Sequence, residues 1–172
     1  MAETIVKKFK EFCKLMVENH SSFSSHKSSK DIEMGEDIFK EYFASQLNGT
    51  NYYTTFVTHS YPYFLGPGLR LSMDIYDTRY QNLTMQGNIY INVKKNYDSD
   101  VEIQLRFDGK IYKRPINIEQ PLDKTLIEFI DLYFGCYGDI HTYINMKKKE
   151  YAVKLKKFQI KNDFDDITKN EE

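Results

Sequence analysis

The chain has 172 residues, of which 41% are hydrophobic and 28% are charged, and its formal net charge at pH 7 is −1. This composition is typical of a globular chain that buries a core of its own, and it excludes a disordered or collagen-like class. A near-neutral balance provides no global attraction to nucleic acid or to an anionic membrane, although local basic patches can still exist.

Cysteine usage and the first residues predict the compartment. Cys13 and Cys136 are the only cysteines, and each lies in an apolar helical pattern, which favours two reduced and buried thiols over a disulfide. Lysines at 7, 8 and 10 interrupt the first segment, so it does not resemble a signal peptide. We therefore predict a cytoplasmic protein with no membrane association.

Two amphipathic helices are predicted before the sheet, over residues 2–19 and about 35–47, the second beginning at Asp31 or Gly35. Asn48-Gly49 is a stop signal for the second helix. The apolar stripe of the first helix is Ile5, Phe9, Phe12, Cys13 and Met16, and that of the second is Ile38, Phe39, Tyr42, Phe43 and Leu47. Both stripes must be buried, most simply against a sheet.

Alternation of apolar and polar residues predicts a sheet over about 51–114. Leu69, Leu71, Met73 and Ile75 alternate with polar residues, and the same period of two returns at 89–94 and 101–108. A period of two indicates antiparallel strands with one dry face and one wet face. The predicted strands are 51–59, 69–77, 85–95, 100–107 and 110–114.

Asp108-Gly109 is the sharpest hairpin signal in the chain. A two-residue turn would set Ile111 opposite Arg106, whereas a three-residue loop with a bulge at Gly109 would set Ile111 opposite Phe107. The apolar pattern favours the bulge.

After the sheet, the sequence predicts a helix over about 121–135 that Pro121 opens and that Gly135 and Gly138 bracket at its end. The basic segment 139–162 fits a helix over 139–150 and leaves helix and strand open beyond it, and 163–172 is an acidic tail. The predicted fold is α+β, an antiparallel four- to five-stranded β-meander with N-terminal helices and a C-terminal helix packed on one face, in one domain over 1–172.

The sequence carries no motif for metal binding or for nucleophilic catalysis. Its histidines and cysteines form no CxxC, HxxxH or HExxH pattern, and Gly66-Pro67-Gly68 lacks the lysine and the following helix of a phosphate loop. We therefore expect no catalytic residue, metal or cofactor.

Three groups of residues are candidates for binding a partner. The wet sheet face would carry Arg70, Asp74, Tyr76, Tyr90, Glu102 and Arg106. A loop framed by proline and glycine carries Tyr61, Tyr63 and Phe64, which either anchor a partner or plug the open end of the sheet. On a helix, Lys147, Lys154, Lys157 and Lys161 would form one stripe that could meet phosphates.

The sequence predicts a small non-enzymatic interaction protein, an inhibitor or adaptor that binds a macromolecule, most readily a protein. Its 14 tyrosines and 12 phenylalanines exceed what a core of this size obviously needs, and antagonists made by phages and mobile elements share this profile. The alternative is a nucleic-acid-binding module that uses the lysine stripe. An enzyme on the wet sheet face is the weakest hypothesis, and a homo-oligomer is compatible with the sequence.

Overall fold

The computed structural model describes residues 2–20, 28–57, 66–107 and 109–169. Within these residues, three helices and five strands follow one another along the chain. The helices are α1 (Ala2–His20), α2 (Ser29–Gln46) and α3 (Lys124–Lys169). The strands are β1 (Tyr52–Phe56), β2 (Gly68–Asp77), β3 (Thr84–Val93), β4 (Ser99–Phe107) and β5 (Lys110–Pro115).

The five strands form one antiparallel sheet in the order β1-β2-β3-β4-β5, which is a meander. The predicted α+β class, with N-terminal helices, an antiparallel sheet and a C-terminal helix, is confirmed. In the described part of the chain, no helix is long and apolar enough to cross a membrane.

Two compact units divide the chain, Met1–Phe134 and Gly135–Glu172. The first contains α1, α2, the sheet and residues 124–134 of α3, and the second contains the rest of α3. A geometric division does not decide whether two units fold together, so the single domain over 1–172 stays a prediction.

The dry face of the sheet is the core of the first unit. Leu71 pairs with Ile89, and Ile89 pairs with Ile103, so apolar side chains meet across three strands. The predicted apolar stripes of α1 and α2 are buried in the same core. Helix α2 approaches the sheet closely at Gly35. A Cβ atom placed on this residue would lie only 2.7 Å from Cδ2 of Leu69.

Helix α2 begins earlier than predicted, because a capping box at Ser28 stabilises its first turn. The Ser28 hydroxyl accepts a hydrogen bond from the backbone nitrogen of Asp31 over 3.2 Å. The Asp31 carboxylate accepts one from the backbone nitrogen of Ser28 over 3.0 Å. The carboxylate also lies 2.9 Å from Nε2 of His20, which joins the start of α2 to the end of α1.

The hairpin between β4 and β5 differs from the predicted bulge. Phe107 pairs with Lys110 and Arg106 pairs with Ile111, so two residues connect the strands. Tyr112, rather than Ile111, therefore faces the core, where its ring stacks on Phe129 with centroids 4.1 Å apart. An aromatic ring buries more apolar area than isoleucine does, and this outweighs the exposure of Ile111.

Helix α3 corrects both predicted ends of the helix over 121–135. It begins at Lys124, because Asp123 caps it by accepting a hydrogen bond from the backbone nitrogen of Thr125 over 3.0 Å. The helix continues through Gly135 and Gly138. A glycine inside a helix lowers helix stability by about 1 kcal/mol relative to alanine, which need not end the helix. The ambiguous segment beyond residue 150 is helical, and so is the acidic segment as far as Lys169.

Candidate functional site

The wet face of the sheet brings the six predicted sheet residues onto one surface. Arg70 pairs with Tyr90, and Tyr90 pairs with Glu102, which lines these three side chains up across β2, β3 and β4. Asp74, Tyr76 and Arg106 occupy the same face by the alternation of their strands. We call this surface, with Tyr53, Ser72, Asn88 and Gln104, the polar sheet face.

Asn88 lies at the centre of the polar sheet face and is largely buried. Its Oδ1 atom accepts hydrogen bonds from Nε and Nη2 of Arg70, over 3.1 and 3.0 Å, and from the Ser72 hydroxyl over 3.0 Å. The Arg70 guanidinium carbon lies 5.5 Å from the centroid of the Tyr90 ring. These contacts hold a cation and an aromatic ring in fixed positions beside each other.

Two carboxylates of the polar sheet face are each bound by a neighbouring side chain. Glu102 accepts a hydrogen bond from Nε2 of Gln104 over 2.6 Å. Burial raises the pKa of Asp74, and a hydrogen bond from Tyr76 opposes this rise. Both side chains are half-buried, so they present hydrogen-bond acceptors whose hydration is already reduced.

Tyr53 also belongs to the polar sheet face, although it was not among the predicted candidates. It pairs with Tyr76 across β1 and β2, and the two rings stack with centroids 5.0 Å apart and planes 11° apart. Tyr53 is 48% exposed. The signal was present in the sequence, because the alternation of β1 places residues 53 and 55 on the opposite face from the buried Tyr52.

The predicted aromatic loop, with Tyr61, Tyr63 and Phe64, lies outside the described residues. Its two readings, an anchor for a partner or a plug for the sheet, therefore stay predictions. Residues 51–57 of the predicted strand over 51–59 are described, and Tyr52–Phe56 among them form β1.

The predicted lysine stripe lies in the second unit, on a continuous helix. Lys147, Lys154 and Lys157 are exposed there, and steps of seven and three place them on one helical face. Lys147 Nζ lies 2.9 Å from Glu150 Oε2 and 5.6 Å from the centroid of the Tyr143 ring. The backbone of Lys161 continues the helix, and its side chain is outside the described set.

A polar network around the buried Asp77, at one end of the sheet, was not predicted from the sequence. Asp77, a fully buried carboxylate, accepts a hydrogen bond from Nη2 of Arg79 over 2.6 Å. The Tyr52 hydroxyl accepts one from Arg79 over 3.2 Å and donates one to Asp131. Burial, and then the carboxylate of Asp131, raise the pKa of Tyr52. A phenol held protonated in this way ties α3 to the sheet and does not act as a base.

A cavity of about 420 Å³ opens between α1, the β3–β4 turn and the segment after β5. Cys13 lines it, and burial raises the pKa of this thiol although a hydrogen bond from Ser99 opposes the rise. A protonated thiol is a weak nucleophile, so the cavity does not have the chemistry of a cysteine active site. Lys10 and Glu119, 2.9 Å apart, also line the cavity.

No cluster of metal-ligating side chains occurs among residues 2–20, 28–57, 66–107 and 109–169. No group of three histidine, cysteine, aspartate or glutamate side chains in these ranges converges to hold an ion.

Known proteins provide no further assignment for the polar sheet face. No protein-family model matches this chain, and no curated protein and no solved structure matches it either.

Proposed function

We propose that this chain is a small non-enzymatic interaction protein, an inhibitor or adaptor that binds a protein partner through the polar sheet face. The observation that carries the proposal is the fixed array of tyrosine and arginine side chains on that face. Tyr53 stacks on Tyr76, and Arg70 is held by Asn88 beside Tyr90. Tyrosine and arginine are the residues that most often dominate the binding energy of protein interfaces.

Preorganisation supports the same proposal. Ordering a free arginine or tyrosine on binding costs about 0.5–1.5 kcal/mol for each side chain. Hydrogen bonds within the face have already ordered Arg70, Ser72 and Gln104, so less free energy is lost when a partner docks. A catalytic site would instead need a titratable group aimed at a reacting atom, whereas Glu102 Oε1 and Asn88 Oδ1 of this face accept hydrogen bonds from its own side chains.

The two cysteines support a cytoplasmic setting for this function. Both are free, and Cys13 is buried as predicted. The prediction that Cys136 is buried is wrong, because it lies in the second unit, whose described residues form a single helix. An exposed unpaired thiol is typical of proteins from a reducing compartment, because oxidising compartments favour disulfides.

Affinity capture with the full chain tests the proposal. The double variant Tyr53→Ala, Arg106→Ala changes two side chains of the polar sheet face, and both are exposed, so the fold should persist. A matched control changes the exposed Lys95 and Lys124 to alanine. We expect a nuclease-resistant protein partner to be captured by the parent and the control and lost from the double variant. Equal capture by both variants would refute the proposal.

Nucleic-acid binding is the second candidate, and the exposure of Lys147, Lys154 and Lys157 on one helical face favours it. Tyr143 and Tyr151 are exposed on the same helix and have rings on which unpaired bases can stack. If this candidate holds, Lys154→Gln with Lys157→Gln will weaken the binding of a single-stranded oligonucleotide of about 20 bases. The salt dependence of this binding will also fall, by about two charges. The absence of measurable binding at low salt would exclude it.

A further inference from the structure

The second unit carries an apolar seam on α3 that is separate from the polar sheet face. The seam consists of Tyr137, Ile140, Ile144, Tyr151, Leu155 and Phe158. Their spacing along the chain is three, four, seven, four and three residues. At about 100° per residue, the six side chains fall within an arc of about 60° on the helix.

Most of the seam is open to solvent. Ile140 is 55% exposed, Tyr151 is 69% exposed and Phe158 is 63% exposed. The described residues of this unit form one helix, so its own unit provides no second element to cover them. An amphipathic helix gains most of its stability by burying its apolar stripe, and an exposed stripe of this length marks an interaction surface.

The positions of the lysines argue against a second copy of this chain as the occupant. Tyr137, Ile144, Tyr151 and Phe158 repeat every seven residues, like the first apolar position of a coiled-coil heptad. Ile140 then occupies the second apolar position, and Lys147 and Lys154 follow at the same heptad position. Two identical parallel helices would therefore set each lysine against its own copy, and an antiparallel pair centred on the seam would set Lys147 against Lys148. Like charges at a helix contact repel in both cases.

A second set of apolar side chains argues against a membrane surface. Met146, Val153 and Ile160 also repeat every seven residues, about 180° from the seam, and each is slightly more than half exposed. A helix that lies in a membrane interface keeps its opposite face polar. If the seam entered a bilayer, these three side chains would remain in water.

The charge of the helix beside the seam indicates which class of partner can dock there. Between residues 147 and 157 the helix carries lysines at 147, 148, 149, 154, 156 and 157 against one acidic residue, Glu150. Lys147 and Lys154 border the seam on one side and Lys148 borders it on the other. A complementary surface therefore needs an apolar centre with carboxylates along its edges.

We propose that the seam docks an amphipathic helix of a protein partner, whose apolar stripe is edged by aspartate or glutamate. The contact is a helix–helix packing over residues 137–158, a length of about 33 Å. Carboxylates of the partner pair with Lys147, Lys148 and Lys154. This surface is distinct from the polar sheet face, so neither proposal depends on the other.

Two synthetic peptides and the full chain test this proposal. Each peptide has four heptads with leucine at the first and fourth positions, and the fifth and seventh positions are glutamate in one and lysine in the other. Measured by fluorescence anisotropy, the glutamate peptide is expected to bind about tenfold or more tightly than the lysine peptide. Leu155→Ala with Phe158→Ala is expected to weaken the binding of the glutamate peptide about tenfold or more. The matched control, Val153→Ala with Ile160→Ala, truncates the opposite side and should leave its affinity within about twofold.

A charge exchange keeps the test decisive if the alanine variant loses helix by circular dichroism. Lys147→Glu with Lys154→Glu leaves the seam intact and is expected to reverse the preference toward the lysine peptide. Equal binding of both peptides, or a preference that the exchange does not change, overturns the proposal.

Dimers seen by light scattering that the seam variant dissociates would assign the seam to a second copy. Binding to vesicles of phosphatidylserine and phosphatidylcholine that the same variant abolishes would assign it to a membrane. Either result also overturns the proposal.

Discussion

Asn88 shows how one side chain can organise a surface. Its Oδ1 atom accepts three hydrogen bonds, from two nitrogen atoms of Arg70 and from the Ser72 hydroxyl. Alternation along β2 predicts that Arg70 lies on the wet face, but it predicts no role for Asn88. Alternation fixes which face a side chain occupies, whereas hydrogen bonding depends on which residue lies beside it in the next strand.

Asn88→Ala is expected to lower the free energy of unfolding by about 1–3 kcal/mol, because the Arg70 and Ser72 donors lose their shared acceptor at a largely buried position. Urea denaturation of the variant and parent measures the difference. Asn92→Ala is the matched control, since residue 92 lies on the same strand and face and is exposed. An equal effect of the two substitutions would contradict this role for Asn88.

Asp31 should make the stability of this protein depend on pH below about 5. Burial alone would raise the pKa of Asp31, but hydrogen bonds from Ser28 and His20 outweigh it and lower this pKa. A carboxylate whose folded pKa is lowered stabilises the protein above its unfolded pKa of about 3.9, and this stabilisation is lost as the pH falls through the folded pKa. Asp31→Asn is therefore expected to destabilise at pH 7 and to have progressively less effect below about pH 4.

Urea midpoints measured between pH 7 and pH 2.5 test this expectation. Asp37→Asn is the control, because the Asp37 carboxylate lies on the same helix and is 77% exposed. A constant difference between parent and Asp31→Asn across this range would show that Asp31 contributes no pH-dependent stability.

At the scale of elements, the strands were more predictable than the end of α3. A strand buried on one face repeats every two residues, and a slip by one residue would expose its entire apolar set, so the pattern fixes both strand and face. Glycine is a weaker signal, because it ends a helix only where the chain adopts a left-handed conformation. Among the described residues, positive φ angles at glycine occur at Gly49, Gly66 and Gly109, and Gly135 remains helical.

Two glycine substitutions should have opposite effects on stability. A Cβ atom on Gly35 would lie 2.7 Å from Cδ2 of the fully buried Leu69, so Gly35→Ala overpacks the core and should cost about 1–3 kcal/mol despite its better helix propensity. A Cβ atom on Gly135 meets nothing within 4 Å, so Gly135→Ala should stabilise α3 by up to about 1 kcal/mol. Thermal unfolding followed by circular dichroism measures both. Stabilisation by Gly35→Ala would show that Leu69 moves aside without cost.

At the scale of the whole molecule, the two units differ in how much apolar surface they bury. The first unit buries an extended core that includes the dry face of the sheet. The described side chains of α3 from Tyr151 to Ile160 are exposed. Local opening requires less free energy where few side chains are buried, so the two units should differ in protection from hydrogen exchange.

Hydrogen exchange of the isolated full chain should show this contrast. We expect amides at the centres of β2, β3 and β4 to exchange only through global unfolding, and amides of residues 140–160 to exchange at least about a hundredfold faster. Equal protection would mean that the seam is covered in the free protein. Addition of the glutamate peptide should slow exchange over residues 137–158.

The sequence by itself determined the α+β class, the wet and dry faces of the sheet and the buried stripes of α1 and α2, because burial on one side imposes a period of two on strands and of 3.6 on helices. Only the tertiary structure decided the hairpin register, the central position of Asn88, the stacking of Tyr53 on Tyr76 and the polar network around the buried Asp77. Each of these depends on neighbours that are distant in sequence or on a choice between two turns with similar signals. The length of α3 was likewise decided by the structure, since local glycine signals do not reveal whether a helix continues beyond them.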